Sequence, residues 1–128
     1  MKKIILDTNF IIYCTEKKID YKTEILNISS SGYELVVPRP VILEIMLISQ
    51  NAKKYSDKNA AKLALDILEH NQVEIIETKT NIADDAVVEL AEESLGSIVA
   101  SLDLQLRKRL KGIAKILIVN SSKELAFV

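Results

Sequence analysis

Five acids stand out, four where short apolar runs end or a helix should begin and one inside an apolar stretch. They are Asp7 after KIIL, Glu44 inside VILEIMLIS, Asp84 and Asp85 in NIADDAVVEL, and Asp103 after SIVAS. Carboxylates that converge repel one another unless a cation neutralises them. Hard divalent cations take oxygen ligands, so Mg²⁺ or Mn²⁺ held by a few carboxylates and several waters is the expected occupant. Such an ion activates water and stabilises a phosphoryl transition state. The single histidine, His70, falls at the polar end of an expected helix, which disfavours a His-dependent triad and excludes a His-rich metal site. Metal-activated phosphodiester hydrolysis is the chemistry that remains.

Each acid also has a plainer role. Asp7 could cap a helix that starts near residue 9, and so could Thr8 or Asn9. Glu44 is harder to dismiss, because Val41, Ile42, Leu43, Ile45, Met46, Leu47 and Ile48 surround it. A helix apolar around its whole circumference is buried or sits in an interface, and a carboxylate there is costly unless paired, protonated or metal-bound. The alternative is that Glu44 emerges at the one solvent-facing position. Asp84 and Asp85 suit the first turn of a helix, with Asn81 as a cap. Ala83, Ala86, Val87, Leu90 and Ser94 mark the inner face of that helix. Asp84 lies about 100° from its centre and Asp85 about 160°, so Asp84 is the better placed to point across strand ends. Asp85 suits solvent or a supporting position. Asp103 could cap the LQLRKRL helix, as could Ser101.

Short apolar runs alternate with helical patterns along the chain. Strands are expected at 3–6, 34–37, 73–76, 97–101 and 115–119, and helices at 9–16, 20–31, 40–51, 57–70, 82–94 and 103–110. Pro38 ends the second strand, and Pro40 suits the first turn of the next helix. Five short strands, nearly all continuously apolar and separated by helices, predict an α/β three-layer sandwich around a five-stranded parallel sheet. In such sheets ligands bind beyond the carboxyl ends of the strands, where strand order reverses. Four of the acids fall at that edge together. Capping accounts for each separately but leaves Glu44 in its apolar helix unexplained.

The 128 residues suffice for a single domain, 1–128, with 48% apolar and 27% charged residues. No apolar run is long enough to span a bilayer, and Asp7 and Asn9 interrupt the one that follows the N-terminal lysines, so neither a membrane span nor a signal peptide is expected. The lone Cys14 has no intrachain disulfide partner and sits among apolar residues, which suits a buried thiol and a cytoplasmic setting. A net charge of −1 excludes a polycation that coats nucleic acid, so any such contact needs a local basic patch.

The segments IILDTNFII, VPRPVILEI, ADDAVVELA, SIVASLDLQLRKRL and AKILIV occur in the order found in PIN-domain nucleases, and the chain resembles that family over essentially its whole length. The resemblance implies strand order 3-2-1-4-5, with Asp7 and Asp103 flanking the switch point. It implies a Mg²⁺- or Mn²⁺-dependent single-strand RNA endonuclease leaving 3′-hydroxyl and 5′-phosphate ends. Matched residue by residue, Asp7, Glu44, Asp84 and Asp103 become the catalytic and metal-binding quartet. Asn9, Ser101 and Asp85 support it, and Thr8 and Asn9 take over capping and orienting. The ADD doublet and VASLDLQLRKRLKG are most similar to archaeal relatives of the eukaryotic small-subunit rRNA-processing endonuclease. VapC-type toxins are the second branch, although SLDLQL lacks their usual Phe.

The densest basic cluster is Arg107, Lys108, Arg109 and Lys111, just beyond Asp103. Two readings are open to it: a solvated helix face, or phosphate contacts near the acidic edge. Arg39, between two prolines, is a further phosphate contact on the second reading. Aromatic residues make up only 5%, which argues against a broad base-stacking platform. The partner expected is single-stranded RNA such as pre-rRNA. The apolar 41–48 helix leaves room for a homodimer, an antitoxin or a ribosome-assembly partner. A non-catalytic RNA-binding assembly subunit is the contrasting reading.

Overall fold

Ile4, Ile5 and Leu6 are all buried, although successive strand side chains point to opposite faces. Both faces of β1 (Lys2–Leu6) are therefore covered, as expected for the central strand of a parallel α/β sheet. In the computed structural model, which describes residues 2–29 and 32–128, β1 lies between β2 (Tyr33–Pro38) and β4 (Ile98–Ala100). β3 (Glu74–Ile76) and β5 (Lys115–Val119) flank that trio in parallel, giving the expected order 3-2-1-4-5. Strand order reverses between β1 and β4, so their carboxyl ends open the crevice that the topology reserves for ligands.

A sixth strand, β6 (Leu125–Phe127), extends the sheet antiparallel to β5. The five-strand expectation missed it, because a three-residue LAF run after a turn without glycine carries almost no periodic signal. The turn is organised by Asn120, whose Oδ1 accepts the Ser122 and Glu124 N–H groups at 2.9 and 3.0 Å, while Lys123 takes a left-handed conformation at φ 61°.

The helices are α1 (Thr8–Glu16), α2 (Tyr21–Ile28), α3 (Arg39–Asn51), α4 (Tyr55–His70), α5 (Ala83–Glu93) and α6 (Leu104–Arg109). Each overlaps its expected span, and the end of the 20–31 helix lies outside the described residues. Phe10, Ile11 and Cys14 of α1, Tyr21 and Ile25 of α2, and Ile45 of α3 are buried in the common core. Burial pushes the Cys14 thiol up to about 12, so this free cysteine behaves as a small apolar side chain.

α3 departs from its expected burial. Pro40, Val41, Ile42 and Ile45 face the core, but Leu43, Met46 and Leu47 are exposed, and so is Glu44. The helix has one buried stripe, Ile48 packs partly buried against the same core, and Leu43, Met46 and Leu47 face outward. The desolvation cost expected of Glu44 therefore does not arise, because water reaches this carboxylate.

Candidate active site

β1 and β4 pair with Leu6 opposite Ala100, so the next residues along, Asp7 and Ser101, meet at the carboxyl edge. The Asp7 N–H extends the ladder by donating to the Ala100 carbonyl at 3.0 Å. Asp7 stands at the N-cap position of α1, yet its side chain makes no cap hydrogen bond. The capping role is thereby excluded for this carboxylate. Its Oδ2 instead accepts the Ser101 hydroxyl at 2.8 Å, and both residues are buried.

Ser101 works in two directions, because its Oγ also accepts the Asp103 N–H at 3.1 Å. Asp103 then caps α6: its Oδ1 accepts the N–H groups of Gln105 and Leu106 at 2.8 and 3.3 Å. Capping and a site role are compatible here, since these bonds occupy one of the two carboxylate oxygens. Asn9 orients the same loop by accepting the Leu102 N–H at 3.1 Å across the β1–β4 crevice. Thr8 does not cap α1: its buried Oγ1 has no hydrogen-bond partner among the described residues.

Asp84 opens α5. Burial raises its pKa, repulsion from Asp103 and Glu44 raises it further, and Arg109 opposes the shift. Asp7 is pushed from 3.8 to about 6 by burial. Hydrogen bonds from Ser101 and the Thr8 backbone oppose this shift, and the charges of Asp84 and Glu44 add to it. Asp7, Glu44, Asp84 and Asp103 thus share one electrostatic neighbourhood. Asp85 engages Arg109 on α6, with its Oδ1 2.8 Å from Nη2.

The entry to α5 contains a device that the sequence reading missed. Asn81 caps nothing; the cap position is Ile82. Glu89 instead reaches back to the loop ahead of α5, and its carboxylate accepts the Lys79 and Thr80 N–H groups at 2.9 to 3.2 Å. The loop that presents Asp84 is held by an acid that looked like ordinary helix surface. Its only sequence signal is a polar residue among the inward-facing Val87, Val88 and Leu90.

Arg39 is engaged by Glu77, with Nε and Nη2 at 2.9 and 2.8 Å from the same carboxylate oxygen. Arg107 is half-buried, and Lys108 and Lys111 are exposed. None of these three is in an ion pair among the described residues.

The sequence pattern of PIN-like domains matches residues 4–120. The chain belongs to the PIN-like domain family. Among its relatives, Ribonuclease VapC4 of Methanocaldococcus jannaschii is 32% identical over 111 residues, which is 86% of this chain and 83% of that protein. The structure of the PIN domain endonuclease Utp24 superposes with a TM-score of 0.80 at 22% identity, covering 98% of this chain and 90% of that one. VapBC2 from Rickettsia felis, solved bound to a DNA fragment from its promoter, superposes with a TM-score of 0.61 at 16% identity, covering 92% and 99%. At these identities the two structural likenesses concern the fold alone.

The acidic edge of this PIN-like domain is a set of hard oxygen donors. Among the described residues, no three His, Cys, Asp or Glu side chains are already gathered tightly enough to hold one ion. Mg²⁺ does not need such a cage, since it keeps several waters and commonly takes one or two carboxylates. The donor chemistry and the mutual repulsion of the acids fit a hard divalent cation. Thr8, next to Asp7 in the chain, keeps a buried hydroxyl without a hydrogen-bond partner among the described residues.

Proposed function

We propose that this chain, as a single domain over residues 1–128, is a divalent-metal-dependent endoribonuclease. The observation that carries the reading is the buried Asp7 carboxylate, turned away from its cap position and bonded to Ser101, with Glu44 and Asp84 as like-charged neighbours. Asp7, Glu44, Asp84 and Asp103 would hold Mg²⁺ or Mn²⁺. When bound, such an ion activates water and offsets charge on the phosphoryl oxygens. The protein's own part is positional. Ser101 fixes Asp7 and the Asp103 backbone together, Asn9 holds the following loop, and Asp85 engages Arg109 beside Asp84. Arg39, Arg107, Lys108 and Lys111 would meet RNA phosphates, Arg39 by exchanging Glu77 for its ligand.

Within that chemistry, rRNA processing is our first reading of the biological role, and it rests on the ADD doublet and the VASLDLQLRKRLKG segment. A VapC-type toxin is the second, favoured by the identity to Ribonuclease VapC4. The exposed Leu43, Met46 and Leu47 supply an apolar surface for a second copy, an antitoxin or an assembly partner. A cytoplasmic setting is proposed with both; no helix among the described residues is long and apolar enough to cross a membrane. The deciding assay is cleavage of single-stranded RNA with Mn²⁺, with and without a chelator. Binding without cleavage would favour a non-catalytic assembly subunit. Co-sedimentation with pre-ribosomes favours rRNA processing, and a small partner gene immediately upstream favours the toxin.

The two roles of Asp103 are separable. Ser is a good N-cap, so Asp103→Ser is expected to stay within about 0.5 kcal/mol of the parent in urea denaturation while losing cleavage. Asp103→Ala should lose cleavage and a further ~1 kcal/mol of stability. Normal cleavage by Asp103→Ser would reduce Asp103 to a cap.

A further inference from the structure

The basic cluster of the sequence divides in two in the structure. Arg109 faces the acids and is held by Asp85. Arg107, Lys108 and Lys111 turn instead into an open groove of about 530 Å³ between α6 and the start of β5, where Lys115 joins them. Four of the residues lining this groove are cations and none is acidic. None of the four is in an ion pair among the described residues. In a chain of net charge −1, this is a concentrated local excess of positive charge.

The lining between these cations is apolar. Leu104 is 64% exposed, and Ile116 lies at the base. Leu104 is also the residue immediately after Asp103, so the groove begins where the acidic edge ends. Lys115 lines it from the start of β5, and its Nζ sits 5.3 Å from the centre of the Phe127 ring. Cations along a trough with an apolar base suit a single nucleic-acid strand, with phosphates toward the charges and bases toward the carbon surface. A duplex, rigid and much wider, does not suit a groove of this volume.

We propose that the groove between α6 and β5 carries one flank of a single-stranded RNA that crosses the acidic edge, with Arg107, Lys108, Lys111 and Lys115 as its phosphate contacts. This rests on the nuclease reading for its substrate. It adds Lys115 to the contacts and gives the strand a path, from Asp103 along α6 toward β5. None of the residues lining the groove is aromatic, so it should bind with little sequence preference.

The test is binding of a fluorescent 12-nucleotide single-stranded RNA in an Asp7→Asn background, measured across salt concentrations. Lys108, Lys111 and Lys115 are exposed, so their joint replacement by Gln should leave the melting temperature unchanged. Each phosphate contact adds about 0.7 to the slope of log K against log salt for single strands, so the triple variant should lose a slope of about 2 and at least ~10-fold in affinity at low salt. Replacement of the same three by Arg should restore both. Unchanged affinity and slope in the Gln variant overturn the groove, as does binding of a poly-glutamate peptide there in preference to RNA. The unsubstituted chain is assayed for Mn²⁺-dependent cleavage in parallel. Cleavage with an indifferent Gln variant removes the groove alone; lost binding without any cleavage removes the nuclease reading and leaves the groove as an RNA site.

Discussion

Replacing Asp7 with Asn is expected to abolish RNA cleavage and, at neutral pH, to make the protein more stable. The cause is the buried carboxyl, whose pKa stands at about 6 when folded against an ordinary 3.8. Between those values the folded state holds a proton that the unfolded state has released. Stability of the parent protein therefore falls as pH rises through that window and remains lower above it. Below about pH 4 both states are protonated, and the difference disappears. A shift of this size corresponds to roughly 3 kcal/mol as an upper bound, and relaxation around the charge should leave roughly 1–3 kcal/mol. Asn keeps an acceptor for the Ser101 hydroxyl without the charge. Thermal melts in chelator should show Asp7→Asn higher by about 3–10 °C at pH 7 and equal to the parent at pH 3.5. Added Mn²⁺ should stabilise the parent more at pH 7 than at pH 5, and the variant little at either. Equal or lower stability of Asp7→Asn at pH 7 would show that the buried charge is already compensated by protein groups.

Removing the Ser101 hydroxyl should be nearly as damaging to activity. Ser101 is fully buried and serves two acids at once, donating to Asp7 and accepting from the Asp103 backbone. Ser101→Ala leaves the Asp103 N–H without its acceptor, at a cost of ~1–3 kcal/mol. It also takes from Asp7 the largest influence that holds its pKa down. We expect a 10–100-fold loss of cleavage, the range seen when groups that orient metal ligands are removed. A purely structural role for Ser101 would lower stability alone. An orienting role also moves the acid limb of the pH–rate profile to higher pH, because Asp7 then ionises later. An unmoved limb would limit Ser101 to packing.

How much of this was legible in the sequence depended on periodicity and on chain neighbours. The parallel sheet was legible because IIL, LVV, IVA and ILIV are short continuous apolar runs between helical patterns, as a strand covered on both faces requires. The pairing of Asp7 with Ser101 follows from register, which no single segment carries. Glu44 was singled out for an unsound reason. Its apolar neighbours suggested burial, but three of the seven face solvent, and composition alone cannot tell a core-facing leucine from one that awaits a partner. Asp103 was offered as cap or site residue and is geometrically free to be both, because a carboxylate has two oxygens. Glu89 and β6 went unseen because their partners, the Lys79–Thr80 backbone and the edge of β5, lie where no pattern in their own segment points.

The ends of the sheet bear on how this protein avoids the wrong company. Both outermost strands, β3 and β6, are only three residues long. A strand that short presents too few free N–H and C=O groups to template another chain, and Glu74 on one edge and Lys123 and Glu124 ahead of the other add charge. The antiparallel β6 therefore does more than widen the sheet. It replaces the five-residue edge that β5 would otherwise expose with a blunter one. Strand-by-strand growth into fibres is thereby discouraged at both margins, and association is directed to side-chain surfaces such as the outward face of α3.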